Sequence, residues 1–368
     1  MSDEISYQTF GSLLKKVVDN RGKTCPVADF GMPLIATNCV TNKYMYPQFE
    51  KVRYVNEETY KNWFRGHPIP GDILFVLKGT PGRVAWVPDL VGFCIAQDMV
   101  AIRADEEKIY PKYLFAVLRS NTIQQDIEGL HVGSLIPHFK KGDFDSLKIP
   151  VVEKSLQKFI GDQYFDISLK IDLLNRQNKT LEAMAETLFR QWFVEGAGNW
   201  EEGKLGDLID LVYGKALKDE VRSGSGFPVV GSSGVVGYHS EYLVEGPGIV
   251  IGRKGTLGKV NYQFENFFPI DTTYYIKSKI NSDILLYEYF LLKTMNFENS
   301  DSAVPGLNRD IALSEEIRIP PVSMVADFNK TVEGFFLKIK SNSSQVRNLE
   351  KLRDSLLPKL MSGEVRVS

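Results

Sequence analysis

The chain is poor in the residues from which small chemical sites are most often built. Its 368 residues include three cysteines, Cys25, Cys39 and Cys94, and four histidines, His67, His131, His138 and His239. The cysteines are odd in number and far apart. That excludes a Cys-x-x-Cys zinc site and fits free thiols in a reducing compartment. The histidines show no metal-ligand spacing, so no metal site is expected. No apolar run approaches the roughly 20 residues that a membrane-spanning helix needs. The opening Met1-Ser2-Asp3-Glu4-Ile5 is acidic and lacks an apolar signal core, so a cytoplasmic protein is expected. Positive charge is not in excess either, with a formal net charge of −2. This disfavours a protein that coats nucleic acid non-specifically. It leaves room for specific binding through a few cations concentrated in loops.

Catalytic signatures are also missing. An adenine methyltransferase needs an Asp/Asn-Pro-Pro-aromatic loop, and the single Pro-Pro, Pro320-Pro321, is followed by Val322. Gly252 to Lys259 resembles a P-loop, but its spacing is one residue too long and Val260 stands where the hydroxyl belongs. No Gly-x-Ser-x-Gly elbow occurs. Carboxylates such as Glu315-Glu316 read as a solvated face. Together these absences favour a protein without chemistry of its own.

What the chain does have is an internal repeat. Gly11-Ser12-Leu13-Leu14 matches Gly206-Asp207-Leu208-Ile209, and Gly31-Met32-Pro33-Leu34-Ile35 matches Gly226-Phe227-Pro228-Val229-Val230, both 195 positions on. Lys78-Gly79-Thr80-Pro81-Gly82-Arg83-Val84 returns as Lys254-Gly255-Thr256-Leu257-Gly258-Lys259-Val260 at 176, and Ile149-Pro150 as Ile319-Pro320 at 170. An ordered series with a shrinking offset is what duplication and divergence leave. The first copy is the longer, with most of the extra residues between positions 38 and 78. Apolar runs before Gly-rich turns, Asp72 to Leu77 and Gly248 to Gly252, read as strands. Tyr110 to Leu118 and Leu285 to Leu292 read as short helices, so each copy is an α+β module.

A long helix follows each module. Ile160, Tyr164, Ile167, Ile171, Leu174, Asn178, Leu181, Ala185, Leu188 and Trp192 alternate in steps of four and three. So do Phe328, Val332, Phe335, Ile339, Asn342, Val346, Leu349, Arg353, Leu356 and Leu360. A sustained 3.5-residue period is a coiled-coil signature. The second copy of this pattern lies 168 positions after the first, as Ser168 to Asp172 returning as Phe336 to Lys340 shows. Gly196 and Gly198 are expected to end the first helix and Gly363 the second. The expected architecture is therefore α+β: two similar strand-rich domains separated by two long antiparallel coiled-coil helices in a pseudo-twofold repeat. The boundaries are 1–152 for the first module, 153–196 for the first helix, 197–321 for the second module and 322–368 for the second helix.

The seam residues are Ile171, Leu174, Asn178, Leu181, Ile339, Asn342, Val346 and Leu349. Setting Asn178 opposite Asn342 makes paired residue numbers sum to 520. That register also sets Ala185 against Phe335, and Arg353 by Ile167 with its head reaching water.

Candidate ligand-facing residues lie in the loops. In the repeated turn, Lys78, Thr80 and Arg83, and Arg253, Lys254, Thr256 and Lys259, offer cations and hydroxyls beside glycines that let backbone amides approach a phosphate. The alternative is a tight hairpin whose glycines only supply positive φ. Ser232, Ser233, Tyr238 and His239 sit on a Gly-rich stretch and could donate to base edges or phosphates, or form an ordinary polar loop. His138, Lys140 and Lys141 match Asn308 and Arg309 in place, as a ligand-facing edge or a solvated turn.

The segment Leu181-Glu182-Ala183-Met184-Ala185-Glu186-Thr187-Leu188-Phe189-Arg190-Gln191-Trp192-Phe193-Val194 closes the first helix and Leu349 to Glu364 closes the second. With the two modules, and with Gly248 to Gly255, the chain resembles the specificity subunit of type I restriction-modification systems along essentially its whole length. The resemblance implies a non-catalytic subunit that reads a bipartite site on double-stranded DNA, one half per module. It implies docking of two adenine-N6 methyltransferase subunits and of restriction subunits. S-adenosylmethionine, ATP and Mg²⁺ would belong to those partners, with no cofactor in this chain. Competing readings are the same kind of subunit serving a type II-like fused enzyme, a coiled-coil scaffold without a DNA role, and an enzyme with an unfamiliar site.

Overall fold

The computed structural model describes residues 5–20, 24–130, 137–280, 283–297 and 306–361. His131 and Gly363 lie outside the described residues. Contacts divide the chain into two compact units, Met1–Asn175 with Ser344–Ser368, and Arg176–Ser343. The division cuts both long helices instead of falling at their ends. Each unit therefore holds one module and a length of each helix, because a long helix packs along its flank as well as at its root.

In the first module the strands are β1 (Ser6–Thr9), β2 (Leu14–Val18), β3 (Met32–Ile35), β4 (Arg53–Val55), β5 (Ile73–Val76), β6 (Val84–Trp86), β7 (Cys94–Ile95), β8 (Met99–Ala104) and β9 (Lys148–Val151). The short helices are α1 (Glu57–Asn62), α2 (Pro111–Leu118) and α3 (Asn121–Gly129), and α4 (Lys154–Phe189) is the first long helix. The strands form an antiparallel sheet β2-β8-β5-β6, a mixed sheet β4-β3-β7 and a ribbon β1-β9. Apolar residues run unbroken along β5 because both of its faces are covered. Ile73 and Phe75 pack with α2, while Leu74 and Val76 pack with Ile35, Ile95 and Met99 on the other side. That is the two-residue alternation of a strand. A fully buried side chain of this size contributes about 1.5–3 kcal/mol.

The second module carries β10 (Glu201–Lys204), β11 (Ile209–Tyr213), β12 (Phe227–Gly231), β13 (Gly234–His239), β14 (Gly248–Gly252), β15 (Val260–Gln263), β16 (Phe268–Pro269), β17 (Thr273–Ser278) and β18 (Glu316–Ile319). Its helices are α5 (Leu205–Leu208), α6 (Leu286–Thr294) and α7 (Arg309–Ser314), and α8 (Val322–Met361) is the second long helix. Every sheet of the first module recurs, as β11-β17-β14-β15, β13-β12-β16 and β10-β18. The register recurs too: Leu74, Phe75 and Val76 face Ala101, Val100 and Met99, and Val250, Ile251 and Gly252 face Tyr275, Tyr274 and Thr273. The extra length of the first module between β4 and β5 holds α1.

Each module is fastened to a long helix in the same manner. Gln157 Oε1 accepts from the Tyr110 amide at 2.8 Å, and Asn329 Oδ1 accepts from the Tyr287 amide at 2.9 Å. Both amide side chains satisfy an otherwise orphaned donor at the start of a short helix. Ion pairs add to this. Lys112 and the Tyr110 hydroxyl donate to Asp162, at 2.7 and 2.9 Å. In the other unit Lys293 and the Tyr289 hydroxyl donate to Glu182, at 3.0 and 2.7 Å.

The long helices run antiparallel in the expected register. In the first unit Ile171, Leu174 and Val346 are buried, with Ile167 and Leu349 packed on them. In the second, Asn342 Nδ2 donates to Asn178 Oδ1 at 2.9 Å, and Trp192 lies 6.0 Å from Phe328. The second pair also sums to 520. Two features differ from expectation. The Arg190–Glu195 run is a π-helical turn before Gly196, not a continuation of α4. The wider turn lets the neighbours Trp192 and Phe193 both reach Phe328, Phe193 at 5.2 Å. Arg353 does not reach water: it is 8% exposed, with its guanidinium 5.6 Å from the Tyr164 ring centre. Arg119 lies 5.9 Å from the same ring, so two arginines share one aromatic. Asp354, whose Oδ1 accepts from Arg353 Nε at 2.8 Å, and the attraction of the ring for cations replace the solvent that sequence spacing suggested.

Candidate nucleic-acid interface

The repeated Lys-Gly-Thr turn is the β5–β6 hairpin in one module and the β14–β15 hairpin in the other. The backbone hydrogen bonds that close the turn recur in both copies. The Leu77 and Lys78 amides donate to Asp98 O, and the Arg253 and Lys254 amides donate to Thr272 O. Gly82 donates to Val76 O and Gly258 to Gly252 O. Gly79 and Gly255 have φ of 84° and 78°, and Gly82 and Gly258 have 86° and 66°. Only glycine adopts such angles without strain. The glycines are thus accounted for by the hairpin itself, and the side chains around it are what remain for a ligand.

In the first module Lys78 is exposed and its backbone bridges to His138, which lies half-buried beside the turn. Thr80 and Arg83 line a cleft of about 620 Å³ together with Asn42, Lys43 and Gln124. Asn42 and Gln124 shape this cleft: Asn42 Oδ1 accepts from the Val84 amide at 2.9 Å, and Gln124 Nε2 donates to Gly82 O at 2.8 Å. Sequence reasoning did not find Lys43, Asn42 or Gln124, because three segments distant in sequence meet there. The Ser120 cap and the Ile123–Ile127 spacing were the available signal for α3. Lys140 and Lys141 are exposed at the start of the turn Lys141–Asp145, where the Lys140 amide donates to Asp143.

In the second module Lys254 and Thr256 are exposed at the hairpin tip. Ser232 lies against the turn, its Oγ 3.4 Å from where a Cβ on Gly255 would stand. Lys259 Nζ donates to Ser233 O at 2.6 Å, which staples the hairpin to the β12–β13 turn. Arg253 lies over the Tyr213 ring at 4.9 Å and donates to Asp271 O at 2.9 Å. Tyr213, a residue the sequence did not single out, is 52% exposed. Tyr238 is exposed, and His239 is half-buried with its ring edge-on to Phe268 at 6.0 Å. Asn308 and Arg309 have work inside the fold. Asn308 Oδ1 accepts from the amides of Asp310 and Ile311, capping α7. Arg309 donates to Leu211 O at 2.7 Å and pairs with Asp210.

Two copies of one α+β topology, each with a cation-bearing hairpin and each followed by a long helix, define a tandem ligand-reading architecture. Residues 24–183 and 197–328 match the family described as type I restriction modification DNA specificity domain, and the chain belongs to that family. It is 25% identical over 348 residues to the type I restriction enzyme MjaIX specificity subunit of Methanocaldococcus jannaschii, covering 81% of this chain and 78% of that one. It is 21% identical over 431 residues to the HindI specificity subunit of Haemophilus influenzae, covering 89% and 92%. In fold it is similar to the crystal structure of a type I restriction-modification S subunit from M. genitalium, with a TM-score of 0.61, 20% identity, and 98% and 96% of the two chains covered. Among the described residues no helix is long and apolar enough to cross a membrane.

Proposed function

We propose that this chain is the DNA-recognition subunit of a type I restriction-modification complex, reading a bipartite site with one half per module. The observation that carries this is the duplicated hairpin. Two copies of the same backbone, in a chain of the specificity family, differ in the side chains they present. Lys78, Thr80, Arg83 and Lys43 would meet one half-site, and Lys254, Thr256, Ser232 and the Tyr213–Arg253 pair the other. Cations at the tips position the duplex through phosphates, and the variable side chains read base edges. Asn308, Arg309 and Lys259 serve the fold in this reading. Chemistry belongs to partners: two adenine-N6 methyltransferase subunits using S-adenosylmethionine, and restriction subunits using ATP and Mg²⁺, in the cytoplasm. The family match supports this reading over a scaffold without a DNA role.

The test is to co-express the chain with its methyltransferase partner and map N6-methyladenine across the host genome. The expected result is one bipartite motif with a fixed gap. A continuous motif, or no motif, would overturn the proposal.

A further inference from the structure

The internal repeat and the helix register together expose a break in symmetry at the middle of the helix pair. The repeat carries Asn178 onto Val346, and Leu174 onto Asn342, at 168 positions. A strictly duplicated pair would therefore have two equivalent layers here. One layer, Leu174 with Val346, is buried and apolar. The other is polar: Asn342, fully buried, donates through Nδ2 to Gln177 Oε1 at 2.8 Å and to Asn178 Oδ1 at 2.9 Å. Asn178 Nδ2 donates in turn to Ser343 Oγ at 3.3 Å.

A duplicated helix faces a problem of partner choice. Where α4 pairs with α8 of its own chain, α4 of one molecule could equally pair antiparallel with α4 of another, since both sequences share one heptad frame. In that homotypic pairing the same a-against-d layering sets Asn178 against Leu174 of the second molecule, and for α8 it sets Asn342 against Val346. Each asparagine would then face an aliphatic side chain and lose its amide mate, keeping only the flanking polar neighbour that the repeat supplies, Asn175 beside Asn178 and Gln345 beside Asn342. The remaining layers next to this point, Ile171 with Leu181 or Ile339 with Leu349, would pack without objection. A buried amide that finds its mate in one pairing only is a known means of selecting partner and register.

We propose that the Asn178–Asn342 pair is the element that makes the two helices of one chain choose each other over the matching helix of a second copy. It was the placement of the polar layer on one side of the repeat's centre, and not merely its presence, that does this. An asparagine pair placed symmetrically would fit homotypic pairing as well.

The test uses the full chain without DNA or partner subunits, so its outcome is independent of the proposed function. In Asn178→Val with Asn342→Leu the two central layers become alike. After unfolding and refolding over a range of concentrations, light scattering should show the wild type as a monomer. The double variant should populate exchanged dimers at least about tenfold more, the factor that corresponds to leaving one buried amide unpaired. Adding Leu174→Asn and Val346→Asn to that variant moves the polar layer to the mirror position and should restore the monomer. A double variant as monomeric as the wild type would overturn the proposal. So would a relocated pair that leaves the dimer fraction unchanged.

Discussion

The two modules share a backbone and differ in where they keep positive charge. At matching positions after the central strand, the first module has Leu77, buried, and the second has Arg253, stacked on an exposed Tyr213. At the other end of the turn, Arg83 lines an open cleft, whereas Lys259 is tied to the Ser233 carbonyl. The second module has gained a cation at one end of the hairpin and tied down the one at the other, while the backbone hydrogen bonds that close the turn recur. Duplication kept what the fold requires and released what a ligand meets. Two such modules can read different half-sites without any change in the frame that holds them.

The largest consequence is modular exchange. Replacing residues 199–320 with the corresponding segment of another family member should change one half of the methylated motif completely and leave the other half and the gap intact. Methylation mapping reads this directly. A change in both halves would mean that the modules do not read separately.

Stability offers a second contrast. Asp72 is buried and holds Arg103 with both oxygens, at 2.8 and 3.0 Å, while also accepting from the Ile69 amide. Asp210 holds Arg309 at a half-exposed site. Removing the buried partner should cost about 3 kcal/mol, near the low end for broken buried pairs because Arg103 keeps some access to water. Asp210→Ala should cost at most about 1 kcal/mol. Denaturant unfolding of the two variants compares them, and equal losses would contradict the different burial of the two pairs.

Much of this frame is legible in the sequence because its causes are local. Glycines at 79, 82, 255 and 258 announce positive φ, and the heptads announce the helix pair down to the Asn178–Asn342 contact. What stays hidden depends on segments meeting in space. The cleft needs Lys43 and Gln124 to converge on Arg83. The burial of Arg353 needs Tyr164. The π turn at Arg190–Glu195 brings Trp192 and Phe193 together on Phe328, an arrangement that heptad counting does not distinguish from a regular helix. The roles of Asn308 and Arg309 were obscured for the same reason. A polar residue in a loop reads alike whether it caps the next helix or faces a ligand.

The smallest effect tests the division of labour within one hairpin. Lys254 is exposed at the tip of the turn, while Lys259 already spends its ammonium on Ser233 O. A lysine that contacts a phosphate displaces a counterion, so its removal lowers the slope of log affinity against log salt by about 0.9. Lys254→Ala in the assembled complex should show a drop of about that size, with weaker binding across all sequences. Lys259→Ala should leave the slope near its original value, because its charge is committed to the staple, and should instead loosen the β12–β13 turn that carries Ser232 and Ser233. That loosening would appear as altered preference at one half-site. If the two variants lower the slope equally, Lys259 reaches the duplex despite its bond to Ser233, and the second module offers charge at both ends of its hairpin.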